Sequence, residues 1–202
     1  KVTAMERLGA TVEFHGSNFD AAREHAEELA AKNGYRYVHS ANEPALVAGV
    51  GTAGLEVVED LPDVDYLVCP IGGGSSASGY CLTVGELTDA KVIGVQSEAA
   101  PALHKSWNEG HLNSHDRMET FAEGIATSVP FALTMDILRE RLDEFHLVSE
   151  DATRDGVLDL LVEESVVAEG ASATSLAALR EMRERVRGKT VIFPISGRNI
   201  DI

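Results

Sequence analysis

Two periodicities alternate along this chain, and the alternation restricts it to one broad architecture. Residues 11–15, 35–39, 65–70, 91–96, 144–149 and 190–195 are short runs of β-branched, aromatic and apolar residues, with the length and boundaries of buried strands. Between most of them lie stretches with helical spacing, at about 44–61, 76–87, 131–142, 150–164 and 171–186. A further helix opens in capping-box fashion at Ser17-Asn18-Phe19-Asp20 and closes at Asn33-Gly34. Along it Phe19, Ala22, Ala26, Leu29 and Ala30 share one face, while Arg23, Glu24, Glu27 and Glu28 share another. Strands alternating with helices predict an α/β fold, a three-layer, mostly parallel twisted sheet with helices on both faces. Ligands of such sheets bind beyond the carboxyl ends of the strands. The interval 108–130, with Gly110, His111, Asn113, Ser114, His115 and Asp116, shows no sustained period and reads as the longest loop.

The most informative turn in this pattern is residues 69–79, CPIGGGSSASG, which follow a strand and enter a helix. One glycine is enough for a tight strand-to-helix turn; three in succession leave a bare backbone whose N–H groups, with the positive end of the helix and two serine hydroxyls, suit an anion. Gly72, Gly73, Gly74, Ser75 and Ser76 are therefore candidate phosphate ligands. A nucleoside triphosphate loop needs Gly-Lys-Ser/Thr before its helix, and no lysine lies between Leu61 and Ala90. A G-x-G-x-x-G spacing occurs at 49–54, but turn and helix-start residues precede it where a dinucleotide fingerprint needs a strand. These glycines are expected to let a helix pack closely on its neighbours, and a nicotinamide oxidoreductase is correspondingly disfavoured.

Charge narrows the partners. With 33 acidic against 17 basic residues and a net charge of -16, the surface repels nucleic acid and anionic membrane. No apolar run approaches a bilayer span, and the first residues lack a secretory signal, so a cytoplasmic protein is expected. Only five of the basic residues are lysines (Lys1, Lys32, Lys91, Lys105 and Lys189), and an acid-rich, lysine-poor surface suits a high-salt, halophilic cytoplasm. The two cysteines, Cys69 and Cys81, read as small core residues. His111 and His115 have i, i+4 spacing but sit among Gly110 and Asn113 with no accompanying carboxylate pattern, and read as surface histidines; His39 reads as structural.

In collinear order the segments YVHSANEP, GVGTAGLE, CPIGGGSSASG, VIGVQSE, FAEGIA, VAEGASA and PISGRNID resemble the fold-type II pyridoxal-phosphate enzymes, most closely the threonine/serine dehydratase (ammonia-lyase) and serine racemase group. The resemblance covers nearly the whole chain. It implies a tryptophan synthase beta-like fold, incomplete at the N-terminus, with residues 1–36 the C-terminal part of a small domain and 37–202 a large cofactor-binding domain. It implies pyridoxal 5'-phosphate as cofactor, its phosphate on Gly72, Gly73, Gly74, Ser75 and Ser76. Ser196 stands where the family's Ser-Gly-Gly-Asn places a hydroxyl against the pyridine nitrogen; a neutral hydroxyl would not hold that nitrogen protonated, which suits elimination more than transamination. Glu123 and Glu169 match acidic positions of the family's Asp-Gly-Ile and Glu-Pro-Ala-Gly-Ala segments near the pocket.

The implied activity of the complete protein is loss of water from L-threonine or L-serine, giving a 2-oxo acid and ammonia. The implied partners are a small-molecule amino-acid substrate and further copies of the chain, as a dimer or tetramer. Serine racemase, threonine synthase, an ectoine-pathway dehydratase or a related lyase stay open, as does a non-catalytic module that binds the cofactor or another anion.

Three departures qualify the likeness. The family's Schiff-base lysine, in Ser-Phe-Lys-x-Arg-Gly, and its Ser-x-Gly-Asn substrate loop both belong upstream of anything in this sequence, and none of the five lysines has such a context; the chain is expected to lack the first part of the protein and to hold no catalytic residue alone. Ser75 stands where a fourth glycine is usual, and Arg198 replaces the second glycine after Ser196, placing a cation near the ring. The stretch after the Val-Ile-Gly-Val strand keeps Glu98 as its only carboxylate, so no metal site is expected.

Overall fold

The computed structural model describes residues 1–115 and 118–200; Asp116 of the expected loop and Asp201 of the last motif lie outside them. At its centre four strands run in parallel, β1 (Tyr66–Pro70), β2 (Lys91–Ser97), β3 (Glu144–Val148) and β4 (Val191–Ile192), in the order β3-β2-β1-β4. Tyr66 pairs with Lys91 on one side and with Val191 on the other, and Ile93 pairs with Glu144. The strands form because their side chains alternate between two apolar environments. Leu67, Cys69, Val92 and Phe145 enter one core, with Tyr80, Leu103, Met135 and Leu138. Val68, Ile93, Val95 and Val148 enter the other, with Ala177, Ala178 and Met182.

The first core is covered by α4 (Ser75–Leu82), α5 (Val84–Leu87), α6 (Ala102–Glu109) and α7 (Ala132–Arg141), with α3 (Pro44–Asp60) packed on α4. The second is covered by α9 (Gly170–Glu181), against which α8 (Glu150–Val162) packs. The result is the expected three-layer α/β arrangement. The cysteines are free and buried within it, and burial raises both thiols, Cys81 to about 12.

The glycines at 49–54 lie inside α3, as their context implied. Gly51 and Gly54 are buried; a β-carbon on Gly54 would overlap the Thr83 hydroxyl, and one on Gly79 of α4 would reach 2.8 Å from the Gly51 nitrogen. The two helices thus meet backbone to backbone. The expected helix at 76–87 is interrupted at Thr83, whose hydroxyl donates back to the Gly79 carbonyl at 2.8 Å while its side chain fills the space those glycines leave. Ser149 caps α8, accepting from the Ala152 N–H at 3.1 Å.

Two compact units are distinguished, Lys1–His39 and Ser40–Ile202. The first holds α1 (Val2–Arg7) and α2 (Phe19–Asn33). Asn18 caps α2 by accepting from the Ala21 N–H, and Gly34 ends it in the left-handed conformation at φ 70°. The expected strands at 11–15 and 35–39 do not form. Their pattern suits a pleated surface, but a strand needs a neighbour to pair with, and among the described residues neither has one; Phe14, Tyr35 and Val38 are exposed. The expected loop also differs. Its first residues, Asn108 and Glu109, complete α6, which turns Ala102, Leu103 and Ser106 inward, and Glu123–Ile125 makes a 3-10 turn.

Candidate active site

β1 and β4 are neighbours in a parallel sheet, so the segments leaving their carboxyl ends emerge side by side. After β1 comes the glycine loop. After β4 comes the turn carrying Ser196, Gly197 and Arg198. The sequence thus places two segments more than a hundred residues apart on one edge.

The loop's glycines answer to specific neighbours. A β-carbon on Gly72 would overlap the carbonyl oxygen of Gly124, and one on Gly73 would lie 2.5 Å from the Ala41 β-carbon. Gly74 has φ 91° and serves as N-cap of α4. The Thr134 hydroxyl donates to the Gly73 carbonyl at 2.8 Å, which leaves that oxygen turned to α7. Gly72, Gly73, Ser75 and Ser76 remain partly exposed, and the two serine hydroxyls have no hydrogen-bond partner among the described residues. The first N–H groups of α4 have no partner within the helix. This donor set, over backbone that no side chain can occupy, fits a phosphate.

The loop connects to Ser196 through a continuous line of contacts. Gly124 backs onto Gly72 on one side and faces Glu169 and Ala171 on the other, where an added β-carbon would stand 3.2 Å from a Glu169 carboxylate oxygen. The same carboxylate lies against Gly197, and the Glu169 N–H donates to the Gly197 carbonyl at 3.0 Å. Glu169 is half-buried and precedes α9 as its N-cap residue, while the neighbouring Glu123 is exposed at the start of the 3-10 turn. Ser196 and Arg198 are exposed, and both border a depression of about 620 Å³ walled by Val166, Val167 and Ile195.

Two residues missed by the sequence reading hold this line in place. Ser97, fully buried at the end of β2, donates to the Glu150 carboxylate at 2.5 Å. The other oxygen of Glu150 accepts the Phe121 N–H at 3.0 Å, fixing the approach to Glu123 and Gly124. Ser172, fully buried on α9, lies 3.3 Å from the Ser196 hydroxyl.

Lys91 and Lys189 lie at the opposite end of the sheet from these residues. Lys91 opens β2 and Lys189 precedes β4, both at the amino edge, where Lys189 binds Asp65 at 2.9 Å. Lys105 meets His115 at 2.6 Å, and Lys1 and Lys32 belong to the first unit. His111 is exposed beside Asn113, and the described residues contain no group of three metal-ligating side chains.

Comparison with known proteins gives these features a family. The profile described as "Pyridoxal-phosphate dependent enzyme" matches residues 1–197. The L-threonine ammonia-lyase of Thermotoga maritima is 41% identical over the whole chain, which spans 50% of that protein. The solved threonine deaminase from T.th. superposes with a TM-score of 0.92 at 31% identity, covering all of this chain and 67% of the other. The serine racemase of Dictyostelium discoideum gives 0.88 at 29%, covering all of this chain and 65% of the other. The chain thus spans about half to three-fifths of the curated relatives it matches.

Proposed function

Because the chain belongs to the pyridoxal-phosphate-dependent enzymes of fold type II, we propose that it forms most of the cofactor-binding half of a threonine/serine ammonia-lyase. Gly72, Gly73, Gly74, Ser75 and Ser76 hold the phosphate, Ser196 faces the pyridine nitrogen, and Glu123, Glu169 and Arg198 stand beside the cofactor. The observation that supports this is the unbroken contact from Gly72 through Gly124 and Glu169 to Gly197, with the glycine loop and the Ser196 turn leaving neighbouring strands at one sheet edge.

When bound, the cofactor accepts the electron pair left at the substrate Cα. The residues of this chain supply position and electrostatics: the loop's N–H groups and hydroxyls fix the phosphate, and the loop's donors hydrogen-bond to the departing β-hydroxyl, which leaves as water with the proton lost from Cα balancing it. Water leaves across Cα–Cβ; the resulting enamine takes up water and releases ammonia and a 2-oxo acid. None of this chain's five lysines stands in the Ser-Phe-Lys-x-Arg-Gly context that the family resemblance assigns to the base for the Cα proton. Residues 1–36 belong to a small domain and 37–202 to the large one.

The homologues' names support threonine or serine as substrate. The Dictyostelium likeness supports a second reading, racemisation of serine at the same site. Free, buried cysteines support a cytoplasmic setting. The 33 acidic residues against 17 basic support a halophilic one. Leu55, Leu82 and Leu87, exposed on helices α3 to α5, and Leu61, exposed just after α3, support burial against a second copy, as a dimer or tetramer.

The test is to express the full reading frame, add pyridoxal phosphate and follow the visible band of the bound cofactor on adding L-threonine or L-serine. Bleaching with release of ammonia is expected. No band would leave the chain a module without the lyase chemistry; a band with D-serine as the product from L-serine would favour the racemase.

A further inference from the structure

The turn that carries Ser196 is clamped by the first turn of α9. Glu169 donates its N–H to the Gly197 carbonyl at 3.0 Å. Three residues on, Ser172 receives the Gly197 N–H at 3.3 Å, and its hydroxyl lies 3.4 Å from the Gly197 carbonyl and 3.3 Å from the Ser196 hydroxyl. Both backbone polar groups of Gly197 are thereby engaged by one helical turn. Ser172 is fully buried, so its single proton has only these partners to choose between.

That choice has a consequence for Ser196. If Ser172 donates to the Ser196 oxygen, the Ser196 proton is free to point at a ligand acceptor. If Ser172 donates to the Gly197 carbonyl, Ser196 donates to Ser172 and presents only lone pairs. Resting on the placement of Ser196 against the pyridine nitrogen, we infer that Ser172 is a positioning residue: it donates to Ser196 and fixes that hydroxyl as a hydrogen-bond donor to an unprotonated ring nitrogen. Glu169 holds the turn while Ser172 sets the direction of the proton.

The experiment uses the full-length holoenzyme reconstituted with ¹⁵N-labelled pyridoxal phosphate, and compares wild type, Ser196→Ala, Ser172→Ala and the near-isosteric Ser172→Cys. The ring-nitrogen resonance reports its hydrogen bonding without reference to turnover. Ser172→Ala is expected to move that resonance in the same direction as Ser196→Ala, with a loss of cofactor affinity of about three- to tenfold, the worth of one hydrogen bond. Ser172→Cys, which keeps the volume but donates weakly, is expected to fall between it and wild type. If both Ser172 variants leave the resonance unmoved while Ser196→Ala shifts it, Ser172 only packs, and the inference fails with the site reading intact. If Ser196→Ala also leaves it unmoved, the placement of Ser196 fails and takes this inference with it.

Discussion

The carbonyl oxygen of Gly124 occupies the space that a β-carbon on Gly72 would need. The obstacle is backbone, so a side chain at 72 must push the 3-10 turn away or bend the loop. Gly72→Ala is expected to destabilise the full-length protein by about 1–3 kcal/mol, the usual cost of overpacking, and to weaken pyridoxal phosphate measurably in an absorbance titration. Gly49→Ala is the contrast. Gly49 lies in α3 with nothing within 4 Å of an added β-carbon, and alanine there should stabilise by roughly 0.8–1 kcal/mol. Equal melting temperatures for the two variants would contradict this account of the loop.

What the sequence disclosed, and what it hid, divides along the range of the interactions. Helix α2 was legible because Asn18 and Gly34 act on their own helix, and β1 and β2 because near-continuous apolar runs need no knowledge of the partner. The segments 11–15 and 35–39 carry the same local signal without a neighbouring strand, and stay irregular. Helix α6 escaped notice because no side chain caps its start and Trp107 is anchored from outside, donating to the Leu138 carbonyl at 3.0 Å. At the candidate site the glycine run and Ser196 stood out by composition and likeness. Ser172 and Ser97 did not, since a lone serine acquires its role from residues 24 and 53 positions away.

Glu150 joins three elements, accepting from Ser97 at the end of β2 and from the Phe121 backbone while opening α8. Replacing it with alanine strands two donors, one of them on a fully buried serine. Glu150→Ala is expected to cost about 1–3 kcal/mol in a denaturant titration. It should also speed hydrogen exchange at the Phe121 amide relative to wild type. Unchanged exchange there would mean that Glu150 does not hold the segment leading to Gly124.

Glu144 and Arg185 form a two-pronged pair, with contacts of 2.5 and 2.7 Å. Hydrogen bonds from Arg185 outweigh partial burial and, with a lesser contribution from His146, hold the Glu144 carboxyl down to about 2, against an ordinary 4.5. A carboxyl depressed on folding adds stability above its unfolded value and loses it as pH falls toward its folded one. Wild type should therefore exceed Glu144→Gln at pH 6 by about 0.2–1 kcal/mol, the range for a solvent-accessible pair. The advantage should shrink between pH 4.5 and about 2. Urea midpoints across that window check it; a constant difference would assign the effect to packing.

Salt should stabilise this protein, and the reason is the charge imbalance. Individual ion pairs such as Arg23 with Glu27 and Arg185 with Glu144 lose strength as ions are added, but each solvent-accessible pair contributes only about 0.2–1 kcal/mol. Against them stands a net charge of -16, because acidic residues outnumber basic ones 33 to 17. Their mutual repulsion acts over the whole surface and opposes the folded state. Raising potassium chloride from 0.1 to 1 M shortens the screening length from about 10 to 3 Å, which removes most of that repulsion while the short contacts weaken less. The melting temperature is accordingly expected to rise across this range and to fall when salt is dialysed away. A melting temperature that is flat or decreasing with added salt would show that the paired charges dominate, and would count against a halophilic source.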